Sequence, residues 1–381
     1  MATKVLCVFS SVLLDRYFSW LLETLPEAEF TPITWLKDHH EGDLAFEDFS
    51  SPRALFMHVK PQLVLFRTIS SYHEIAVNRY AQLHHIPTVL VGHGDNSLAA
   101  AENMIDINRP ISHARIDRFR KLLWFYIFSS PFFELGDRIN YLWKGVRTGN
   151  PYEAAAVLKQ PIHRADFALA FTETSKEVLL KKLKYPKPRV KLMGDPMATE
   201  INEHNFSSEY VLFIDTDLNA IMDTLPETYD PWYDLFSQLF CLLPPEIPLL
   251  IRLHPNTPPE KYHFIENIPG VSISYDRSAV EDLSSASLVC GFRSSLLSLA
   301  LAMNKPVLIA DEWNTYFPAF PPEAEGLYIK ASQIADKTST GPWPNPSMLN
   351  QSRLEVFRKI KGYGLPSIEI AKSLFQRLLP A

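Results

Sequence analysis

Only three cysteines, Cys7, Cys241 and Cys290, occur in the 381 residues. They are widely separated, odd in number, and set in the apolar runs KVLCVF, LFCLLP and SLVCGF. That pattern excludes a disulfide framework and a zinc site, and reads as buried thiols in a reducing cytoplasm. Cationic excess is also missing: 37 Lys and Arg against 43 Asp and Glu leave a net charge of -6. A surface built to neutralise a nucleic-acid backbone is therefore not expected, and nucleic acid is excluded as a partner.

Long uninterrupted hydrophobic runs are missing too. The stretch from Leu122 to Trp143, LLWFYIFSSPFFELGDRINYLW, is broken by Pro131, Glu134, Asp137 and Arg138 and is too interrupted to span a bilayer. Core or interdomain packing accounts for its aromatics, with peripheral contact at the inner face of a membrane as the alternative. The N-terminus MATKVLCVFSSVLLDRYF lacks a small-residue cleavage pattern and meets Asp15 and Arg16 at once, so it reads as a first strand running into a loop. No internal repeat or low-complexity tract occurs. A phosphate-binding P-loop, a Gly-x-Gly-x-x-Gly fingerprint and a Gly-x-Ser-x-Gly elbow are all absent, which argues against ATPase, NAD-dehydrogenase and serine-hydrolase chemistry.

What the chain does contain is short apolar runs bounded by turn formers. KVLCVF, PQLVLFR, IPTVLVGHG, DFALAFT and RVKLMGDP form one series; YVLFIDTD, IPLLIRLHP, GVSISYD, ASLVCGF and KPVLIADE form a second. Continuous rather than alternating apolar strands predict sheets covered on both faces, the doubly wound α/β pattern. The polar EHNFSSE is the linker candidate, dividing the chain into residues 1–203 and 204–381, with the tail GLPSIEIAKSLFQRLL as a final amphipathic helix. Ligands of open α/β sheets bind beyond the carboxyl ends of the strands, so functional residues are expected just after these runs.

In the first half that position holds Gly92, His93 and Gly94, then Asp95. Glycines flanking a histidine expose it, and His93 or Asp95 is the candidate general base; a capped turn is the structural alternative. Gly194 and Asp195 end the last run before the junction. In the second half LLIRLHPN delivers Arg252 and His254, two apart and so expected on one side, a donor pair suited to phosphate. GFRSSLLSLALAMNKPVLI reads as a glycine turn at Gly291, then Arg293, Ser294 and Ser295 at the start of a helix from about Leu296 to Met303. Serine hydroxyls, free amides and the helix dipole attract an anion there, although capping alone explains one serine. Asp215 and Asp217 end YVLFIDTD, where capping of the turn is simpler than metal binding because no histidine or third acid is spaced nearby. Asp311 and Glu312 follow the last run, placed to accept hydrogen bonds from a ribose or sugar.

In order and approximate spacing, GHG, VKLMGDP, IRLHP and GFRSSLLSLALAMNKPVLI resemble the GT-B transferases of bacterial surface-polymer synthesis. The group includes CDP-glycerol glycerophosphotransferases, polysialyltransferases and Kdo transferases of capsule assembly, which carry His-Pro and Ser-Ser motifs. The resemblance covers about residues 86–315. It implies two Rossmann-like domains facing a cleft, the first binding acceptor and the second binding the nucleotide donor. It further implies that His254, Ser294 and Ser295 hold the phosphate of a cytidine-nucleotide donor, with His93 across the cleft near a glycan or glycolipid acceptor. Asp95, Asn96 and Ser97 stand where glycerophosphotransferases continue with threonine, proline and leucine, and Asp195 and Pro196 where they have proline and arginine. These departures favour a sugar donor over CDP-glycerol. The implied activity is inverting, metal-independent glycosyl transfer without a cofactor. A glycerophosphotransferase using CDP-glycerol, a GT-B-type nucleotide-sugar 2-epimerase and a non-catalytic nucleotide-binding protein are the alternatives.

Overall fold

The computed structural model describes residues 2–34, 42–69, 72–91, 134–148, 163–181, 183–196, 209–215, 247–254, 268–274, 277–291, 294–309, 324, 327–330 and 351–379. The chain divides into two compact units, Met1–Pro196 with Leu365–Ala381, and Met197–Gly364.

The first unit holds strands β1 (Thr3–Val8), β2 (Ala28–Thr34), β3 (Leu44–Ala45), β4 (Leu63–Phe66), β5 (Thr88–Val91), β6 (Phe167–Ala170) and β7 (Val190–Leu192). They pair in the order β3-β2-β1-β4-β5-β6-β7, every pair parallel. Its helices are α1 (Ser11–Tyr17), α2 (Trp20–Thr24), α3 (Pro52–Val59), α4 (Tyr72–Leu83), α5 (Leu135–Thr148) and α6 (Glu173–Lys181). The apolar runs are continuous because successive residues feed opposite faces: Leu6, Val8, Val64, Phe66, Leu90 and Ala168 enter one core, while Val5, Cys7, Leu63, Leu65, Val89 and Leu169 enter another.

The second unit holds α7 (Ala279–Ser285), α8 (Ser295–Ala302) and α9 (Gln351–Ile360) around strands β8 (Tyr210–Ile214), β9 (Leu249–Arg252), β10 (Val271–Ser274), β11 (Ala286–Gly291), β12 (Val307–Ile309) and β13 (Ile329–Lys330). The order is β10-β9-β8-β11-β12-β13, again parallel throughout. Numbered within each unit, the second sheet runs 3-2-1-4-5-6, the Rossmann order, and the first runs the same way with a seventh strand added after the sixth.

All ten apolar runs form strands; β2, β3 and β13 were not expected from the sequence. Strand β2, AEFTPIT, is half-exposed over most of its length and contains Pro32, so it has no continuous apolar run to read. The loop expected after β1 is instead α1, opened by Ser10, whose hydroxyl accepts from the Leu13 amide at 3.4 Å. The chain division differs from the expected one in two places. The units part after Pro196, and the tail helix α10 (Ser367–Leu378) belongs to the first unit. Ala371, Leu374 and Phe375 lie on one stripe of α10 and pack with Phe18, Trp20 and Leu21 over one face of the first sheet. An amphipathic pattern specifies that a helix needs a partner, not which sheet supplies it. Cys7 and Cys290 are buried free thiols whose ionisation burial pushes up, as reduced core residues should be. Cys241 lies outside the described residues.

Candidate functional site

The second sheet ends on a single register row. Ser274 pairs with Arg252, Arg252 with Ile214, Ile214 with Gly291, Gly291 with Ile309, and Ile309 with Lys330. Each is the last residue of its strand, so the segments that follow all leave the sheet at one level. The strand order reverses between β8 and β11, and Asp215 and Ser294 follow those two strands. That is the switch point at which open α/β sheets bind ligands.

His254 is tied to this point through its backbone. The Asp215 amide donates to the Arg252 carbonyl at 2.9 Å, and Asp215 Oδ2 accepts from the His254 amide at 3.1 Å. Asp215 is only 2% exposed. Its carboxylate thus fastens the chain leaving β9 to the end of β8, which accounts for an acid here without any metal role: it caps across strands.

Arg252 is placed differently from the sequence expectation. Its Nη1 donates to Asp282 Oδ2 at 2.7 Å and to the Arg277 carbonyl at 2.9 Å. The Ser274 hydroxyl donates to the same Asp282 oxygen at 2.7 Å, and Arg277 Nε lies 3.4 Å from the other oxygen. Asp282 is fully buried on α7, so Nη1 of the guanidinium expected to meet a phosphate is engaged by a carboxylate in the core. Tyr210 donates its hydroxyl to the Asp282 carbonyl at 3.1 Å, and its ionisation is pushed up, by burial first and by the Asp282 charge second.

Gly291 is a strand residue rather than a turn. A Cβ there would lie 2.5 Å from the Ile214 carbonyl oxygen, so glycine is needed for β11 to approach β8. Ser294 is the N-cap of α8, accepting from the Leu296 amide at 3.3 Å, and Ser295 is its first helical residue. Leu296, Leu297, Leu299, Ala300 and Leu301 are all buried, which pins the helix start against the sheet end. Gly194, with φ of 83°, follows β7, and Asp195 beside it is half-buried. His93, Asp95, Asp217, Arg293, Asp311 and Glu312 lie outside the described residues.

Two features escaped the sequence reading. Asp282 sits in AVEDLSSA, where nothing distinguishes a buried anchor from a solvated helix acid. The first unit also carries a serine pair at its own switch point: Ser10 and Ser11 follow β1, and the Ser11 amide lies 3.2 and 3.1 Å from the two Asp43 carboxylate oxygens. The likeness of CVFSSVLL to CGFRSSLL was the available signal.

No family model and no curated protein matches the chain. Solved structures do. A glycosyltransferase of kitacinnamycin matches over 100% of both chains at 12% identity, with a TM-score of 0.52. The wall teichoic acid polymerase TagF, solved with CDPG, matches over 99% of this chain and 88% of its own at 10% identity, with a TM-score of 0.54. A Listeria monocytogenes protein assigned as a UDP-N-acetylglucosamine 2-epimerase matches over 99% of this chain and 97% of its own at 13% identity, with a TM-score of 0.51. The chain has the GT-B fold. In a GT-B chain the row of strand ends around Asp215, His254 and Ser294 is the natural place to look for a ligand, because both sheets keep the Rossmann order that creates a switch point.

Proposed function

We propose that this GT-B chain is a glycosyltransferase that takes a nucleotide-activated sugar, a CMP- or CDP-linked one in preference, and builds a bacterial surface glycan. The observation that carries the reading is the fastening of His254 to Asp215 at the switch point, with the capped start of α8 following the neighbouring strand. His254 and the amides near Ser294 and Ser295 hold the donor phosphate and stabilise the charge that grows on it as the glycosidic bond breaks. Donors of this kind contribute roughly 3 kcal/mol each where they act on a developing oxyanion. Transfer is inverting and metal-independent in this reading: one of His93 and Asp95 takes the acceptor proton as the hydroxyl attacks the anomeric carbon. The acceptor is a glycan or glycolipid, met at the cytoplasmic face of the membrane; among the described residues no helix is long and apolar enough to cross one.

The fit of the kitacinnamycin glycosyltransferase and of TagF supports group transfer, while that of the Listeria protein supports epimerisation as the second reading. Product analysis with donor alone separates them, since only an epimerase converts it without an acceptor. A thermal-shift series with CMP, CDP, UDP and GDP is expected to show stabilisation by a cytidine nucleotide, and stabilisation by none of the four would sink the donor assignment. His254→Ala is expected to keep the fold and lose nearly all transfer.

A further inference from the structure

Arg252 is held by one half of its guanidinium. Nη1 donates to Asp282 Oδ2 at 2.7 Å and to the Arg277 carbonyl at 2.9 Å, whereas Nε and Nη2 make no hydrogen bond among the described residues. The Arg252 side chain is 21% exposed, while that of Asp282 has no exposure at all. Asp282 is itself fixed from other sides. The Ser274 hydroxyl donates to its Oδ2 at 2.7 Å, Arg277 Nε lies 3.4 Å from its Oδ1, and the helix that carries it is closed by a capping box between Ser278 and Glu281. A guanidinium is planar, so fastening one amino group to a rigid acid fixes the direction of the remaining donors. Because the carboxylate is shared with Arg277, it does not neutralise Arg252 outright.

The open edge stands near the switch point. Leu250, two residues back on β9, enters the core formed with Val280 of α7 and Leu297 of α8, and side chains two apart on a strand share a face. Arg252 therefore leaves the sheet on the face that carries α7 and α8. Its register partner is Ile214, whose own partner is Gly291, so it lies two strand spacings, on the order of 10 Å, from the strand that leads into α8. Tethering α7 to the sheet needs only a cation; a planar fork that tethers by one side and leaves the other open suits an anion as well. We propose that Asp282 is a positioning residue, which presents the Nε and Nη2 edge of Arg252 to a phosphoryl oxygen of the donor. Holding the arginine beforehand spares the ligand the entropy of ordering it. The inference rests on the donor reading given above and adds to it an acid that touches no ligand.

The test is calorimetric titration of the full chain with CMP, CDP, UDP and GDP, well below the unfolding midpoint. Arg252→Lys leaves Asp282 a cation but has no second edge, and should weaken the nucleotide that binds wild type by about tenfold or more. Asp282→Asn should weaken it similarly, and the double variant should bind no worse than the weaker single one, because both changes remove one interaction. The Arg252 Nε–H resonance, identified by its loss in Arg252→Lys, is expected to move when nucleotide is added to wild type and to stay in place in Asp282→Asn. Should Asp282→Asn fail to fold, Arg252→Lys and the wild-type resonance decide alone. Affinity within about twofold of wild type in Arg252→Lys, an unmoved wild-type resonance, or losses that multiply in the double variant would overturn the positioning role while leaving the donor reading intact. Wild-type protein that binds none of the four nucleotides would overturn both.

Discussion

Asp282 shows how far one residue's role depends on what folds around it. Its carboxylate, fully buried, gathers Arg252, Ser274 and Arg277 from the end of the sheet and the approach to α7. Removing the carboxylate leaves two guanidinium groups that still reach water, Arg252 at 21% and Arg277 at 42% exposure, and the Ser274 contact unmade. Asp282→Ala is therefore expected to cost about 1–3 kcal/mol in urea unfolding. The same variant frees Arg252 beside His254, so nucleotide affinity measured on the folded fraction shows whether Arg252 reaches the ligand once released. Gly291, by contrast, was visible as a special residue but for another reason: it leaves room for the Ile214 carbonyl, and any β-carbon would have to push β8 aside. His254 was legible because a histidine and a proline closing an apolar run are conspicuous. The bond from its amide to Asp215 was not, since 39 residues separate the two.

At the scale of elements, local pattern served well wherever burial was two-sided. Runs such as those of β4, β5 and β8 became strands buried on both faces, and the edge strand β10 formed although it is only half-buried, whereas β2, half-exposed and holding Pro32, shows no run to read. Helix α8 is the element on which the site reading leans most. Its apolar residues drive it into the core, and Ser294 terminates it cleanly. Ser294→Ala should cost about 1 kcal/mol of stability through the lost cap. If the hydroxyl also serves a ligand, the same change should weaken nucleotide binding measured by calorimetry well below the unfolding midpoint, an effect that a cap alone would not produce.

For the whole molecule, the return of the tail is the principal departure from a linear reading. Deleting residues 365–381 strips Ala371, Leu374 and Phe375 from the first unit's core and should destabilise that unit by on the order of 5 kcal/mol. Hydrogen exchange is expected to accelerate in β1, β4 and β5 while β8, β9 and β11 keep their protection. Buried lysines set the response to pH. Burial lowers Lys361 to about 7, and lowers Lys305, which donates to the carbonyls of Ser284 and Ala286, to about 8. The unfolded chain holds those protons up to its ordinary lysine pKa near 10.4, so between the two values it binds more of them than the folded chain does. Stability should thus rise from pH 7 to 9, until ionisation of the unfolded thiols of Cys7 and Cys290 opposes it. Lys361→Met should flatten that rise by on the order of 2 kcal/mol, read from denaturant midpoints at the two pH values.

The sequence by itself determined that the chain would build two parallel sheets and which residues would stand just after the strands, because hydrophobic continuity and strand-end punctuation are local and survive in one dimension. Tertiary structure alone decided that all six strands of the second sheet end on one row, that Asp215 rather than a neighbour in sequence holds His254, and that Asp282 takes Arg252. It also decided that the last helix covers the first sheet. Each of these is a pairing between residues remote in the chain, chosen by register, buried charge and the apolar face left open, and none leaves a trace in local composition.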